Sequence, residues 1–132
     1  MKVYLAAMFS LKEEMQVKAK ELRDLKIEVT SRWLREKLNS KADLNDTSDD
    51  SNRYHAKLDV EDIDACDTFV LHTVSPLQPT KRGGRHWETG YAYAKGKSII
   101  LCGPRENVFH YLPGIKQFDT WQEVVVYLNG RS

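Results

Sequence analysis

The residues best suited to chemistry lie in KRGGRHWETGYAYAKGKSIILCG, residues 81–103. Two adjacent glycines, Gly83 and Gly84, let the backbone approach a ligand closely. A helix starting just beyond them offers unpaired N–H groups and the positive end of its dipole. A helix over residues 86–95 places Glu88 in the first turn, where the dipole favours the ionised carboxylate. An ionised carboxylate at a ligand-facing rim is what nucleophilic attack on a sugar C1′ requires. A surface glutamate that merely complements the dipole accounts for the same pattern. A second carboxylate, Asp59, lies in LDVEDIDACDTFVLHT and reaches the same rim if its helix runs along the sheet edge. Asp59, Glu61, Asp62 and Asp64 also fit a solvated helix face, and the spacing alone does not choose between the two readings.

These residues need elements to position them. Lys2–Ala7 has the apolar character of a buried central strand. Ser10 and Glu13 fit an S-x-x-E capping box, followed by Leu11, Met15, Ala19 and Leu22 at helical spacing. Lys26–Trp33 reads as a second strand near a sheet edge. Residues 39–53 are polar and rich in Asn, Asp and Ser, and read as a mobile loop able to cover a site. Helical spacing resumes over Tyr54–Cys66, and Thr68–Val74 and Lys97–Cys102 read as buried strands. Gly103–Gly114 reads as a loop, and Thr120 and Glu123 form a T-x-x-E box opening a last helix. Strands alternating with helices imply an α/β fold. The expectation is one domain over residues 1–132, a three-layer sandwich of flavodoxin-like or Rossmann-like form with a five-stranded, mainly parallel sheet. Ligands in such sheets bind beyond the carboxyl ends of the strands, where strand order reverses. The loops Ala7–Ser10, Val74–Arg85 and Gly103–Pro113 should form that rim.

The chain has 132 residues, 41% hydrophobic and 30% charged, with 20 Lys and Arg against 19 Asp and Glu. That balance suits an ordinary soluble protein and gives no reason to expect a nucleic acid polymer or an anionic membrane as partner. No apolar run approaches the roughly 20 residues that span a bilayer, and no signal-type cleavage site follows the N-terminus, so a cytoplasmic location is expected. Cys66 and Cys102 are far apart in sequence and sit among apolar residues, as buried free thiols do. No metal or cofactor is expected. Neither G-x-G-x-x-G after the first strand nor a P-loop is present.

Three blocks resemble the nucleoside 2-deoxyribosyltransferase family, which includes deoxynucleoside 5′-monophosphate N-glycosidases: KVYLAAMFS, DVEDIDACDTFVL and GGRHWETGYAYAKGKSIIL. Together they span nearly the whole chain. The resemblance implies that Glu88 attacks C1′ to form a covalent glycosyl-enzyme, later resolved by another base or by water. It implies that Tyr4 holds Glu88 and that Asp59 orients substrate or shuttles a proton. Substrate contacts fall to Ala7, Met8, Phe9, Ser75, Arg82, Gly84, Arg85, His86 and Asn107. Monophosphate-cleaving relatives place a Ser and an Arg in the first loop, where this chain has Ala7, Met8 and Phe9; Arg82 and Arg85 are the charges that remain to compensate. The segment GPRENVFHYLPG resembles an ending found in short family members, in which a polar residue reaches a neighbouring subunit's site. The resemblance therefore implies a homo-oligomer, with Arg105, Asn107 or His110 completing a shared pocket. The alternative for this segment is a surface loop folded over the core by Val108, Phe109 and Tyr111. For the chain as a whole, the alternative to an enzyme is a catalytically silent module of the same fold that binds or senses nucleotides.

Overall fold

The computed structural model describes residues 1–35, 48–79 and 82–131. Five strands, β1 (Lys2–Ala6), β2 (Glu28–Val29), β3 (Thr68–His72), β4 (Ser98–Cys102) and β5 (Lys116–Phe118), form one sheet in the order β2-β1-β3-β4-β5. Every pairing is parallel. Among the described residues four α-helices accompany them: α1 (Lys12–Asp24), α2 (Asp49–Ala65), α3 (Gly84–Ala94) and α4 (Trp121–Arg131). This is the expected flavodoxin-like three-layer sandwich. Strand order reverses between β1 and β3, which puts the favoured ligand position at their carboxyl ends.

The twofold alternation of side chains along β1 sorts the core into two halves. Val3 and Leu5 pack with Met15, Ala19 and Leu22 of α1 and with Val124 and Leu128 of α4. Tyr4 and Ala6 point the other way, to Ile63 of α2 and Ala92 of α3. Residues 3–6 of β1 are essentially inaccessible, as a central parallel strand covered on both faces should be. Val3 and Leu5 each contribute about 1.5–3 kcal/mol through burial. Tyr4 is thereby committed to the face that carries α2 and α3, and its ring stacks on Phe69 of β3 at 5.4 Å.

Several elements depart from the sequence reading. The second strand is far shorter than Lys26–Trp33. After Val29 the chain leaves the sheet, and side chains replace the ladder: Ser31 Oγ accepts from the Leu5 N–H at 2.6 Å and Trp33 Nε1 donates to the Leu5 carbonyl at 2.9 Å. Ser10 and Glu13 form no capping box. Ser10 lies within a short 3₁₀ turn, Phe9–Leu11, and α1 begins only at Lys12, with Leu11 as an N-cap that makes no side-chain bond. The loop expected over residues 39–53 lies partly outside the described residues, while its end is helical. Ser48 caps α2 by accepting from the Ser51 N–H at 3.2 Å, and Asp49 and Asp50 sit in the first turn, where their charge suits the dipole. The polar composition there marks a helix start. β5 lies within a stretch assigned to no strand by the sequence reading; its three residues are too few and too polar to show periodicity. The Thr120–Glu123 box does form, with the Glu123 N–H donating to Thr120 Oγ1 at 3.2 Å. Cys66 and Cys102 are both buried and free, and burial pushes the Cys66 thiol up to about 11.

Candidate active site

α3 starts abruptly because Arg82 and Gly83 both adopt left-handed backbone, with φ of 73° and 87°. Glycine does this without penalty, whereas a non-glycine residue there costs on the order of 1–3 kcal/mol. The helix begins at Gly84, two residues earlier than expected, so Glu88 falls in the second turn rather than the first. Proximity to the dipole therefore does not govern its ionisation. Burial does, and it raises the Glu88 carboxyl above its usual range, opposed by a hydrogen bond from the Tyr4 hydroxyl. Tyr4 is raised well above its own ordinary value, by burial first and then by the charges of Glu88 and Asp59. It therefore stays protonated and can only donate to Glu88.

A cavity of about 290 Å³ lies between α2 and α3. Ala56, Asp59 and Val60 line it from α2, and Gly84, Trp87 and Glu88 line it from α3. Each set follows the i, i+3, i+4 spacing that puts side chains on one helical face. The acidic face of α2 is thereby resolved. Asp62 is buried and binds Arg32 through its backbone N–H at 2.8 Å and its Nε at 2.7 Å. Glu61 reaches the same guanidinium at 3.1 Å, and Asp64 accepts from the Tyr91 hydroxyl at 2.7 Å. Asp59 is the member of the group that lines the cavity with Glu88.

The structure thus brings together Tyr4, Asp59, Gly84 and Glu88, but not all the other expected contacts. His86 and Asn107 line a second cavity of about 370 Å³ between α3 and the 107–115 segment, with Tyr93, Phe109, His110 and Ile115. Arg85 is buried, and its charge is engaged by Glu106 at 2.5 Å, with His86 Nε2 3.0 Å from the other guanidinium nitrogen. Burial, then Arg85, lowers the His86 pKa. Ala7 is half-buried against the α1 side of the core, whereas Phe9 is 51% exposed and sits near Trp33 with Lys12 Nζ above its ring. Met8 precedes the 3₁₀ turn. Ser75 is spent on its own turn, accepting from the Leu77 N–H at 3.2 Å, and Arg82 stands exposed at the rim.

The loop after β4 is not held over the core by its large apolar residues. Val108, Phe109 and Tyr111 are exposed, and the anchor is the buried His110, whose Nδ1 accepts from the Glu106 N–H at 3.0 Å. Two contributors escaped the sequence reading. Trp87 adjoins Glu88 in the motif itself, so its neighbourhood was the available signal; Glu106 had none, because only the fold brings it to Arg85. Among the described residues, no cluster of His, Cys, Asp or Glu could hold a metal ion, and no helix is long and apolar enough to cross a membrane.

Fold and cleft define an α/β sandwich of flavodoxin-like order with a buried tyrosine and two carboxylates at the candidate site. Three solved structures share that architecture. A 2-deoxyribosyltransferase from the psychrotolerant bacterium Bacillus psychrosaccharolyticus is 24% identical with a TM-score of 0.68, over 94% of this chain and 90% of that one. A CMP N-glycosidase from Clostridium botulinum is 25% identical with a TM-score of 0.59, over 98% of both chains. A conserved protein from Enterococcus faecalis V583 is 20% identical with a TM-score of 0.69, over 100% of this chain and 99% of that one. No family model and no curated protein sequence matches the chain. The resemblance read from the three sequence blocks thus has a counterpart in structures of a deoxyribosyltransferase and an N-glycosidase.

Proposed function

We propose that this protein cleaves the N-glycosidic bond of a nucleoside, deoxynucleoside or 5′-monophosphate, passing the sugar to another base or to water. The observation that carries the reading is the Tyr4 hydroxyl bonded to Glu88, with Asp59 across the same cavity. Glu88 attacks C1′ as the C1′–N bond breaks, and the electron pair of that bond leaves with the base, which takes up a proton. The new C1′–O bond to Glu88 then breaks when the second acceptor attacks C1′, regenerating the carboxylate. Tyr4 keeps one carboxylate oxygen occupied and so aims the other. Asp59 orients the sugar or carries the proton to the departing base, a task for which a positioned carboxyl group contributes about 10²–10⁴-fold.

The protein acts in this reading as a homo-oligomer. The exposed Val108, Phe109 and Tyr111, on a loop whose backbone His110 fixes, form an apolar surface of the kind a second copy would cover. The deciding experiment incubates the protein with nucleosides and 5′-monophosphates, with and without a second free base, and follows base release and exchange by chromatography. Release by wild type and its loss in Glu88→Gln is the expected result. Absence of release from every substrate, with tight binding retained, would favour a silent binding module.

A further inference from the structure

We infer that Trp87 is the platform on which the base of the substrate stacks, and that it sets the base preference of the candidate site. The inference rests on the N-glycosidic reading of the same cavity. Trp87 is 59% exposed although it is the largest apolar side chain lining that cavity, and it directly precedes Glu88. An indole left to water beside a candidate nucleophile is a surface that gains by being covered.

Its orientation is fixed from behind. One helical turn on, the Tyr91 ring lies parallel to it, with centroids 5.3 Å apart and planes 8° from parallel. Tyr91 is itself pinned, its hydroxyl donating to Asp64 of α2 at 2.7 Å, and Lys95 Nζ lies 5.5 Å from its ring centroid. Trp87 and Tyr91 share one i, i+4 stripe of α3, which Lys95 continues at the helix C-cap. Followed toward the helix start, the stripe reaches Gly83 and Gly84, where a Cβ would meet no atom of the described residues within 4 Å. Among the described residues the stripe is thus filled on the Tyr91 side of the indole and open on the glycine side, and Gly84 lines the same cavity. A flat heterocycle fits there, stacked on Trp87 over bare backbone, with Glu88 one residue away for its sugar.

The test compares wild type with Trp87→Phe and Trp87→Ala, using purine and pyrimidine nucleosides. Stacking of a base on an aromatic side chain implies that Trp87→Ala raises KM about tenfold or more, and further for purines than for pyrimidines. Trp87→Phe should recover most of the loss, and kcat should change less than KM. Binding is followed separately by tryptophan fluorescence, since Trp33 and Trp121 remain in the variants. Free adenine should quench wild type and leave Trp87→Phe nearly unchanged. If wild type turns over nucleosides and Trp87→Ala keeps the same KM for purines and pyrimidines, the platform is overturned while the N-glycosidic reading stands. If adenine quenches Trp87 but no substrate releases base, the platform stands and the N-glycosidic reading falls. If Trp87→Ala lowers only the sedimentation coefficient, the indole serves contact with a second copy, and the inference is overturned.

Discussion

The Tyr4 hydroxyl, rooted in the central strand, donates a hydrogen bond to the carboxylate of Glu88, 84 positions further along the chain. Two effects on Glu88 then compete. Burial raises its pKa, and the Tyr4 bond, made to the charged form, lowers it, with burial the larger. Nucleophilic attack needs the ionised form, so kcat/KM should rise with pH along an acid limb lying above the ordinary glutamate range. Tyr4→Phe removes the opposing effect, so the limb should move to still higher pH, with activity at neutral pH falling about tenfold or more. A pH–rate profile of both proteins checks this, and an unmoved limb would show that the hydroxyl does not govern Glu88.

Glu88→Gln should abolish base release, by about a thousandfold or more, while leaving substrate binding largely intact. The amide keeps the acceptor for Tyr4 but is a far poorer nucleophile and lacks the charge that stabilises an oxocarbenium ion. A stability consequence accompanies this. The folded-state pKa of Glu88 is raised, so the folded protein binds more protons than the unfolded chain between the two pKa values, and stability falls as pH rises through that window. Glu88→Gln escapes that loss. It should melt higher than wild type at neutral pH, with the gap closing below the unfolded glutamate pKa. Melts at acidic and neutral pH that give equal differences would argue against a buried, strained carboxylate.

What the sequence disclosed depended on how local its causes were. β1, β3 and β4 are each buried over four of their five residues and owe their composition to that environment, so their positions were legible within one or two residues. Glu88 stood out beside a glycine pair at a helix start, whereas Asp59 was one of four acidic residues on its helix and was singled out only by the family resemblance. β2 was overestimated because Ser31 and Trp33 continue its hydrogen bonding through side chains, which no strand propensity reveals. The same limit applied to Arg85. A basic residue beside Gly83 and Gly84 reads as an anion ligand until the fold brings Glu106 to it from 21 positions away.

Gly103 is a position where the backbone leaves no room for another residue. Its φ is +117°, and a Cβ placed there would lie 2.4 Å from Thr73 Oγ1, at the junction where β4 ends beside β3. The threonine hydroxyl is committed to the Cys102 carbonyl at 3.2 Å, so it cannot swing away without leaving a buried polar group unpaired. Gly103→Ala should therefore destabilise the protein by about 2–3 kcal/mol, combining backbone strain with the clash. Urea unfolding checks it. Pairing the change with Thr73→Ser, which keeps the hydroxyl and so the clash, should recover little, whereas Thr73→Ala should recover part of the loss.

Arg85 and Glu106 form a buried ion pair at 2.5 Å, with side chains only 3% and 7% exposed. The second Glu106 oxygen accepts from the Val74 N–H at 3.3 Å, so the pair ties the loop after β4 to the end of β3 and the start of α3. Removing one partner leaves a charge buried without its counter-ion, which costs about 3–5 kcal/mol, whereas removing both costs much less. Arg85→Met and Glu106→Gln should each lower stability by that amount, and the double variant Arg85→Met/Glu106→Gln should be more stable than the sum of the two changes implies. Denaturant unfolding of the four proteins measures the coupling. A ligand role predicts a different outcome. If Arg85→Met unfolds like wild type yet loses activity on 5′-monophosphates while keeping it on nucleosides, then Arg85 binds phosphate and the pair with Glu106 does not dominate its energetics.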